Sequence, residues 1–182
     1  MAGLSAGLAF WLFPAMAGLL FDDVAGRRLG GVGRVTLQTR DLILELLRRY
    51  TCKAGTGKIM EFFGPGVKNM DMSARATIAN MAVDMGFTAA IFPSDQITKH
   101  FLARNGREDA WRELETGPNP QWSEVTEIDL GQIEPMVACP SNPDNVKRAS
   151  DLSDIEVQQV IIGSSCNGSY RDFMIAARIV EG

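Results

Sequence analysis

Gly57-Lys58-Ile59-Met60-Glu61-Phe62-Phe63-Gly64-Pro65-Gly66-Val67 sets one carboxylate inside an otherwise apolar run that stops at a Gly-Pro-Gly turn. Lys58 to Phe63 reads as a strand, because aromatic and branched residues suit a pleated surface and the turn closes it. Just downstream, Ser73 can cap a helix through Ile78, Met81, Ala82 and Met85 that stops at Gly86. Thr88 to Phe92 then reads as another short buried strand. Pro93-Ser94-Asp95 opens a further helix, with Ile97, Phe101 and Leu102 inward and Asn105-Gly106 as its end. Strand, helix, strand, helix in this rhythm defines an α/β class with layered packing.

The same rhythm extends outward. Leu42, Ile43, Leu46, Leu47 and Tyr50 recur at helical spacing, which predicts an amphipathic helix with Thr39 as N-cap and Arg48-Arg49 near its C-terminal end. Glu115 to Trp122 reads as loop, and Val125 to Leu130 alternates like a strand. Residues 135–153, rich in Pro, Asn, Asp and Ser, read as a connector. Val157 to Ile162 and a helix from about Ser169 make one more βα step. The expected division is a first α/β domain over 1–134, the connector over 135–153, and the first βα unit of a following α/β domain over 154–182.

Met1 to Phe21 is apolar almost throughout, but no basic residue precedes Arg27, so the charged leader of a signal peptide is missing. Its small residues (Gly3, Ala6, Gly7, Ala15, Gly18) let helices approach closely, and the segment is expected to form a buried helix of a soluble, cytoplasmic protein with no membrane span. The chain carries a net charge of −4 with its cations scattered, so nucleic acid is excluded as a partner. Cys52, Cys139 and Cys166 lie far apart without a C-x-x-C spacing, which speaks against a disulfide scaffold and for a reducing compartment.

Two segments can carry chemistry. Glu61 is flanked by Ile59, Met60, Phe62 and Phe63, and a buried carboxylate there needs a partner. Alternation could equally turn it to solvent beside Lys58. Near the C-terminus, Ile161-Ile162-Gly163-Ser164-Ser165-Cys166-Asn167-Gly168-Ser169-Tyr170 runs from a β-branched pair through small residues into a helix. Free backbone N–H groups at such a junction suit an anion, and a thiolate at Cys166 could ligate iron or act as a nucleophile. A lone cysteine is also commonly just a small buried side chain. His100, the sole histidine, has no partner suggestive of a catalytic triad, and Glu108, Asp109, Glu113 and Glu115 read as an exposed face.

Residues 57–67, Ala74-Arg75-Ala76-Thr77-Ile78-Ala79-Asn80-Met81, Thr88 to Asp95, Pro135 to Val146 and Ile162 to Tyr170 stand in the order and at about the spacing of the aconitase family of iron–sulfur hydro-lyases, which the chain resembles over roughly residues 14–182. The resemblance implies a layered α/β/α domain. It also implies a [4Fe–4S] cluster held by three cysteines, whose fourth iron acts as a Lewis acid on the substrate hydroxyl and a carboxylate. In the family a serine from a mobile C-terminal domain takes the proton from carbon, and a histidine with an acidic partner protonates the leaving hydroxyl. The family's active-site glutamate matches Glu61. Its first cluster cysteine lies in a Gly-Ser-Cys-Thr-Asn motif, whose cysteine position Ser165 occupies here, with Cys166 one place later as the metal ligand and Ser164 and Asn167 around the substrate and cluster.

The implied partners are a small tri- or dicarboxylic acid and further domains of the same chain, since the family's His–Asp and C-x-x-C segments do not occur here. A fragment of this kind is expected to be inactive alone. Gly106 to Trp111 and Pro93 to Thr98 look more like aconitate hydratase, the tricarboxylic acid cycle enzyme that interconverts citrate and isocitrate through cis-aconitate. The alternatives are 3-isopropylmalate or homoaconitate dehydratase, or a non-catalytic carboxylate-binding domain without a cluster.

Overall fold

The computed structural model describes residues 7–12, 16–22 and 39–181, with side chains from residue 39 onward except Asn167. Strands β1 (Gly7–Leu12) and β2 (Met16–Asp22) pair antiparallel, Phe10 opposite Ala17. The described part of the apolar N-terminal segment is therefore a pair of strands, not the expected helix. Pro14 between them lacks a backbone N–H and disfavours a continuous helix, while the aromatic and branched residues on either side suit a sheet. The expected burial of that segment's side chains lies outside the described residues.

Helix α1 (Thr39–Tyr50) follows, and Thr39 is itself helical, not its cap. It is not simply amphipathic, for every residue from Asp41 to Leu47 is buried. Residues 135–153 supply part of the reason. They fold into a hairpin of β6 (Met136–Ala138) and β7 (Val146–Arg148) that packs on α1, where the Met136 N–H donates to Asp41 Oδ1 at 2.9 Å. Glu45, also buried, accepts from Arg48 and Arg49 at 2.7–2.9 Å. Burial pushes the Glu45 carboxyl up, but the two guanidinium groups outweigh it and hold the group below the usual value.

The centre of the fold is β3 (Lys58–Phe63), α2 (Met72–Met81) and β4 (Ala89–Ile91), a parallel pair joined through a helix. The main sheet runs β2–β5–β1–β3–β4, where β5 is Glu124–Asp129 and β1 also pairs with β2. On β3, Met60 and Phe62 are fully buried, and Phe62 stacks on Phe92 with ring centroids 4.3 Å apart. They meet Ile78 and Met81 of α2 and the apolar residues of α1 in one core. Asp71, not Ser73, caps α2: its carboxylate accepts the Ala74 N–H at 2.7 Å. After α2 a single 3-10 turn ends at Gly86, whose φ of +81° favours glycine.

Two expectations about depth are corrected. Among the described strands β4 lies at the edge of the sheet, with Ala89 and Ile91 exposed, and helix α3 (Gln96–Arg104) has no fully buried residue, Phe101 being 47% exposed. A third concerns the last βα step. Residues 157–163 form no strand, and Val160 and Ile161 are 73% and 85% exposed, because no described strand lies beside them to take their backbone hydrogen bonds. The short helix α4 (Ser164–Asn167) instead docks on α2, and α5 (Tyr170–Glu181) follows it. No described helix is long and apolar enough to cross a membrane.

Candidate functional site

Alternation along β3 sends Met60 and Phe62 into the core and turns Glu61 to the opposite face. That face is not left to solvent. The loop of residues 115–122 folds over it, so Thr116 Oγ1 donates to Glu61 Oε1 at 2.5 Å and the Trp122 indole N–H approaches Oε2 at 3.5 Å. The Trp122 ring stacks on Phe63, centroids 4.4 Å apart and 11° from parallel. Glu61 thus sits half-buried in an open cleft of about 690 Å³ that Ile91, Phe92, Pro93, Thr116 and Gly117 also line. A neighbouring recess shares Pro93, Glu115 and Thr116 and adds Lys68 and Gln96. Both lie at the C-terminal ends of the parallel strands β3 and β4, where α/β sheets place their ligands.

Arg75 braces the turns that border this region. It is 2% exposed, and its Nη1 and Nη2 donate to the two oxygens of Asp95 at 2.9 and 2.6 Å. The same guanidinium donates to the carbonyls of Val67, Met70 and Pro93 at 3.0–3.1 Å. It therefore ties the turn after β3 to the turn after β4. Burial pushes the Asp95 carboxyl up, but the Arg75 bonds and the Thr98 N–H outweigh it and hold it below the usual range. Asp95 also caps α3 by accepting from the Ile97 and Thr98 N–H groups.

The second candidate, residues 163–168, is arranged differently. Asn80 Nδ2 of α2 donates to Ser165 Oγ and to Cys166 Sγ, both at 2.9 Å, and Thr77 Oγ1 donates to the Cys166 carbonyl. Helix α4 has only four residues, so it lends the thiol little of the dipole expected from a helix N-terminus. The start of α5 is already occupied. Asp172 Oδ2 accepts the Ser169 N–H and hydroxyl at 2.9 and 2.7 Å, and Ser169 Oγ accepts the Asp172 N–H in return. Ser164 is exposed at φ +70°, and the Asn167 side chain lies outside the described residues. None of the described residues lining the Glu61 cleft or the neighbouring recess comes from 163–168.

His100, Glu108, Asp109, Glu113 and Glu115 are exposed, as expected. Among the described residues no three His, Cys, Asp or Glu side chains stand together to hold a metal. All three cysteines are free thiols. The turn offers one sulfur with a serine beside it, whereas an iron–sulfur cluster needs a set of thiolates. The described residues of this chain do not fit a cluster by themselves. Sequence reading did not single out Arg75, Thr116, Trp122 or Asn80 as site residues. The Pro93-Ser94-Asp95 cap was a usable signal for the Arg75 partner; a loop threonine over a strand carboxylate leaves none.

The geometry defines an α/β protein with a held carboxylate in a cleft at the C-terminal edge of parallel strands. Residues 15–151 match the aconitase family (aconitate hydratase). The chain belongs to that family. It is 38% identical over 159 residues to the 3-isopropylmalate dehydratase large subunit of Elusimicrobium minutum, covering 87% of this chain and 37% of that protein. It is 40% identical over 144 residues to large subunit 1 of the same enzyme from Thermotoga maritima, covering 78% and 34%. The large subunit from Lachnoclostridium phytofermentans is 32% identical over 181 residues, all of this chain and 41% of that protein. The chain thus spans about 34–41% of the length of these relatives.

Proposed function

We propose that the chain is the Glu61-bearing part of a hydro-lyase acting on a small hydroxy acid of the 3-isopropylmalate type. A hydro-lyase removes hydrogen from one carbon and hydroxyl from its neighbour, leaving a double bond and water. The observation that carries the proposal is Glu61 itself, held by Thr116 in an open cleft at the edge of the sheet. A carboxyl group there can hold the substrate hydroxyl in place, and can take a proton from water in the hydration direction and return it to the departing hydroxyl in the dehydration direction, one of the two proton-handling tasks of the reaction. Membership of the family supports the reaction class. The names of the relatives favour 3-isopropylmalate over the citrate–isocitrate reaction that the Gly106–Trp111 run suggested, and they lend no support to a place in the tricarboxylic acid cycle.

The remaining parts of this reading follow the resemblance. Relatives described as large subunits imply a companion subunit, and their greater length implies further domains that complete the site. In the proposed division, residues 1–134 form the α/β/α layers, 135–153 bridge, and 154–182 begin a following domain. A [4Fe–4S] cluster in the complete protein would supply Lewis-acid chemistry, with Cys166 as one ligand and Ser164 and Asn167 near it. The location in the cytoplasm belongs to the same proposal.

The test is Glu61→Gln in the complete protein that carries this chain, assayed with 3-isopropylmalate and with citrate. The near-isosteric change is expected to lower turnover at least tenfold, at roughly the scale of general acid–base catalysis, with the melting temperature unchanged. Wild-type turnover in that variant removes Glu61 from the catalytic set. A preference for citrate would return the substrate to the aconitate-hydratase reading.

A further inference from the structure

We infer that Thr116 and Trp122 are positioning residues that fix both oxygens of the Glu61 carboxylate, so that the 115–122 loop sets the aim of the catalytic group; this rests on the reading of Glu61 given above. A glutamate side chain projecting from the outer face of a strand rotates freely about its terminal bond unless something holds it. Here each oxygen has its own donor. The Thr116 hydroxyl must be the donor to an ionised carboxylate, which only accepts, and it stands 2.5 Å from Oε1. The indole N–H of Trp122 is on the other oxygen at 3.5 Å. The short bond on Oε1 and the longer contact on Oε2 together restrict rotation of the carboxylate.

The loop that carries them is itself tied at both ends. Before it, Ser94 and Leu114 exchange backbone hydrogen bonds at 2.8 and 3.2 Å, and Ser94 Oγ donates to the Arg112 carbonyl at 2.6 Å. Ser94 belongs to the turn after β4 that Arg75 anchors at Pro93 and Asp95. After the loop, Trp122 is stacked on Phe63, two residues along β3 from Glu61, and β5 begins at Glu124. Between these anchors Pro118 and Pro120 limit the backbone. Thr116 and Gly117 then form the wall of the same cleft that Glu61 faces, so a shift of this loop moves the carboxylate and the cleft together.

The experiment is a mutant cycle in the complete protein, with turnover measured on whichever of 3-isopropylmalate and citrate the wild type processes. Thr116→Val keeps the shape and removes the donor; Trp122→Phe removes the donor and keeps an aromatic ring, though a smaller one, to stack on Phe63. Each is expected to lower kcat about tenfold with KM little changed, the signature of a misaimed group in an intact cleft. Thr116→Ser, which restores the hydroxyl, is expected to restore kcat. In a Glu61→Gln background, adding Thr116→Val is expected to change nothing further. Independently of turnover, the Trp122 indole N–H resonance is expected to shift in both Glu61→Gln and Thr116→Val. If Thr116→Val fails to fold, Trp122→Phe and Thr116→Ser carry the test. Impaired Glu61→Gln alongside wild-type kcat in Thr116→Val and Trp122→Phe overturns the positioning role alone. Wild-type turnover in Glu61→Gln overturns the functional reading, and this inference with it.

Discussion

Replacing Arg75 by Met removes the guanidinium while keeping most of the stem that packs in the core. Five contacts of 2.6–3.1 Å are lost: two to Asp95 and one each to the carbonyls of Val67, Met70 and Pro93. Asp95 is not stranded, because its side chain is 19% exposed and keeps the Ile97 and Thr98 N–H groups. The cost falls mainly on the three carbonyls, at about 1 kcal/mol each, and on the lost charge-assisted pair, at about 2 kcal/mol. Relief from burying the guanidinium charge offsets part of this, so the net destabilisation is about 3 kcal/mol. With a urea m-value of about 2 kcal/mol/M, the unfolding midpoint drops by about 1.5 M. Arg75→Lys recovers less than half, since an ammonium cannot fork to both Asp95 oxygens and reach the carbonyls.

The assay is urea unfolding followed by tryptophan fluorescence at neutral and acid pH. Asp95 has a lowered folded-state value, so its contribution is fully present above its unfolded-state value, about pH 4, and is lost as pH falls through the lowered value. The gap between wild type and Arg75→Met should therefore narrow in acid. A midpoint shift below about 0.3 M at neutral pH, or a gap that widens in acid, refutes the clamp.

Cys166→Ser in the complete protein is expected to lower iron per chain, measured by metal analysis, while Ser165→Ala leaves it unchanged; equal iron in both makes Cys166 an ordinary half-buried thiol held by Asn80. The 182-residue chain alone is expected to be inactive and to self-associate, because Val160, Ile161, Tyr170, Phe173 and Val180 are exposed together over its last elements. Monodisperse monomer in sedimentation, with no uptake of an apolar dye, counts against this.

The central elements were legible in the order of residues. Lys58–Phe63 matched its expected bounds as a strand, and Gly86 ended the following helical stretch, because apolar period, Gly-Pro-Gly and a lone glycine are local signals. Local signals also misled. An apolar run rich in small residues reads as a buried helix, but β1 runs beside β3, Phe10 opposite Met60, and a strand is the answer once that edge exists. Val157–Ile162 has every local mark of a strand and forms none, since a strand exists only with a neighbour to share its hydrogen bonds. At the candidate site the carboxylate itself came from the resemblance and the apolar flanks of Glu61. Everything that gives it a setting came from elsewhere in the chain. Thr116 and Trp122 lie 55 and 61 positions away, and Asp95 lies 20 from Arg75. Periodicity and capping act over a few residues and can be read in order along a chain. The aim of a carboxylate depends on donors that only the folded backbone brings within 3.5 Å of it.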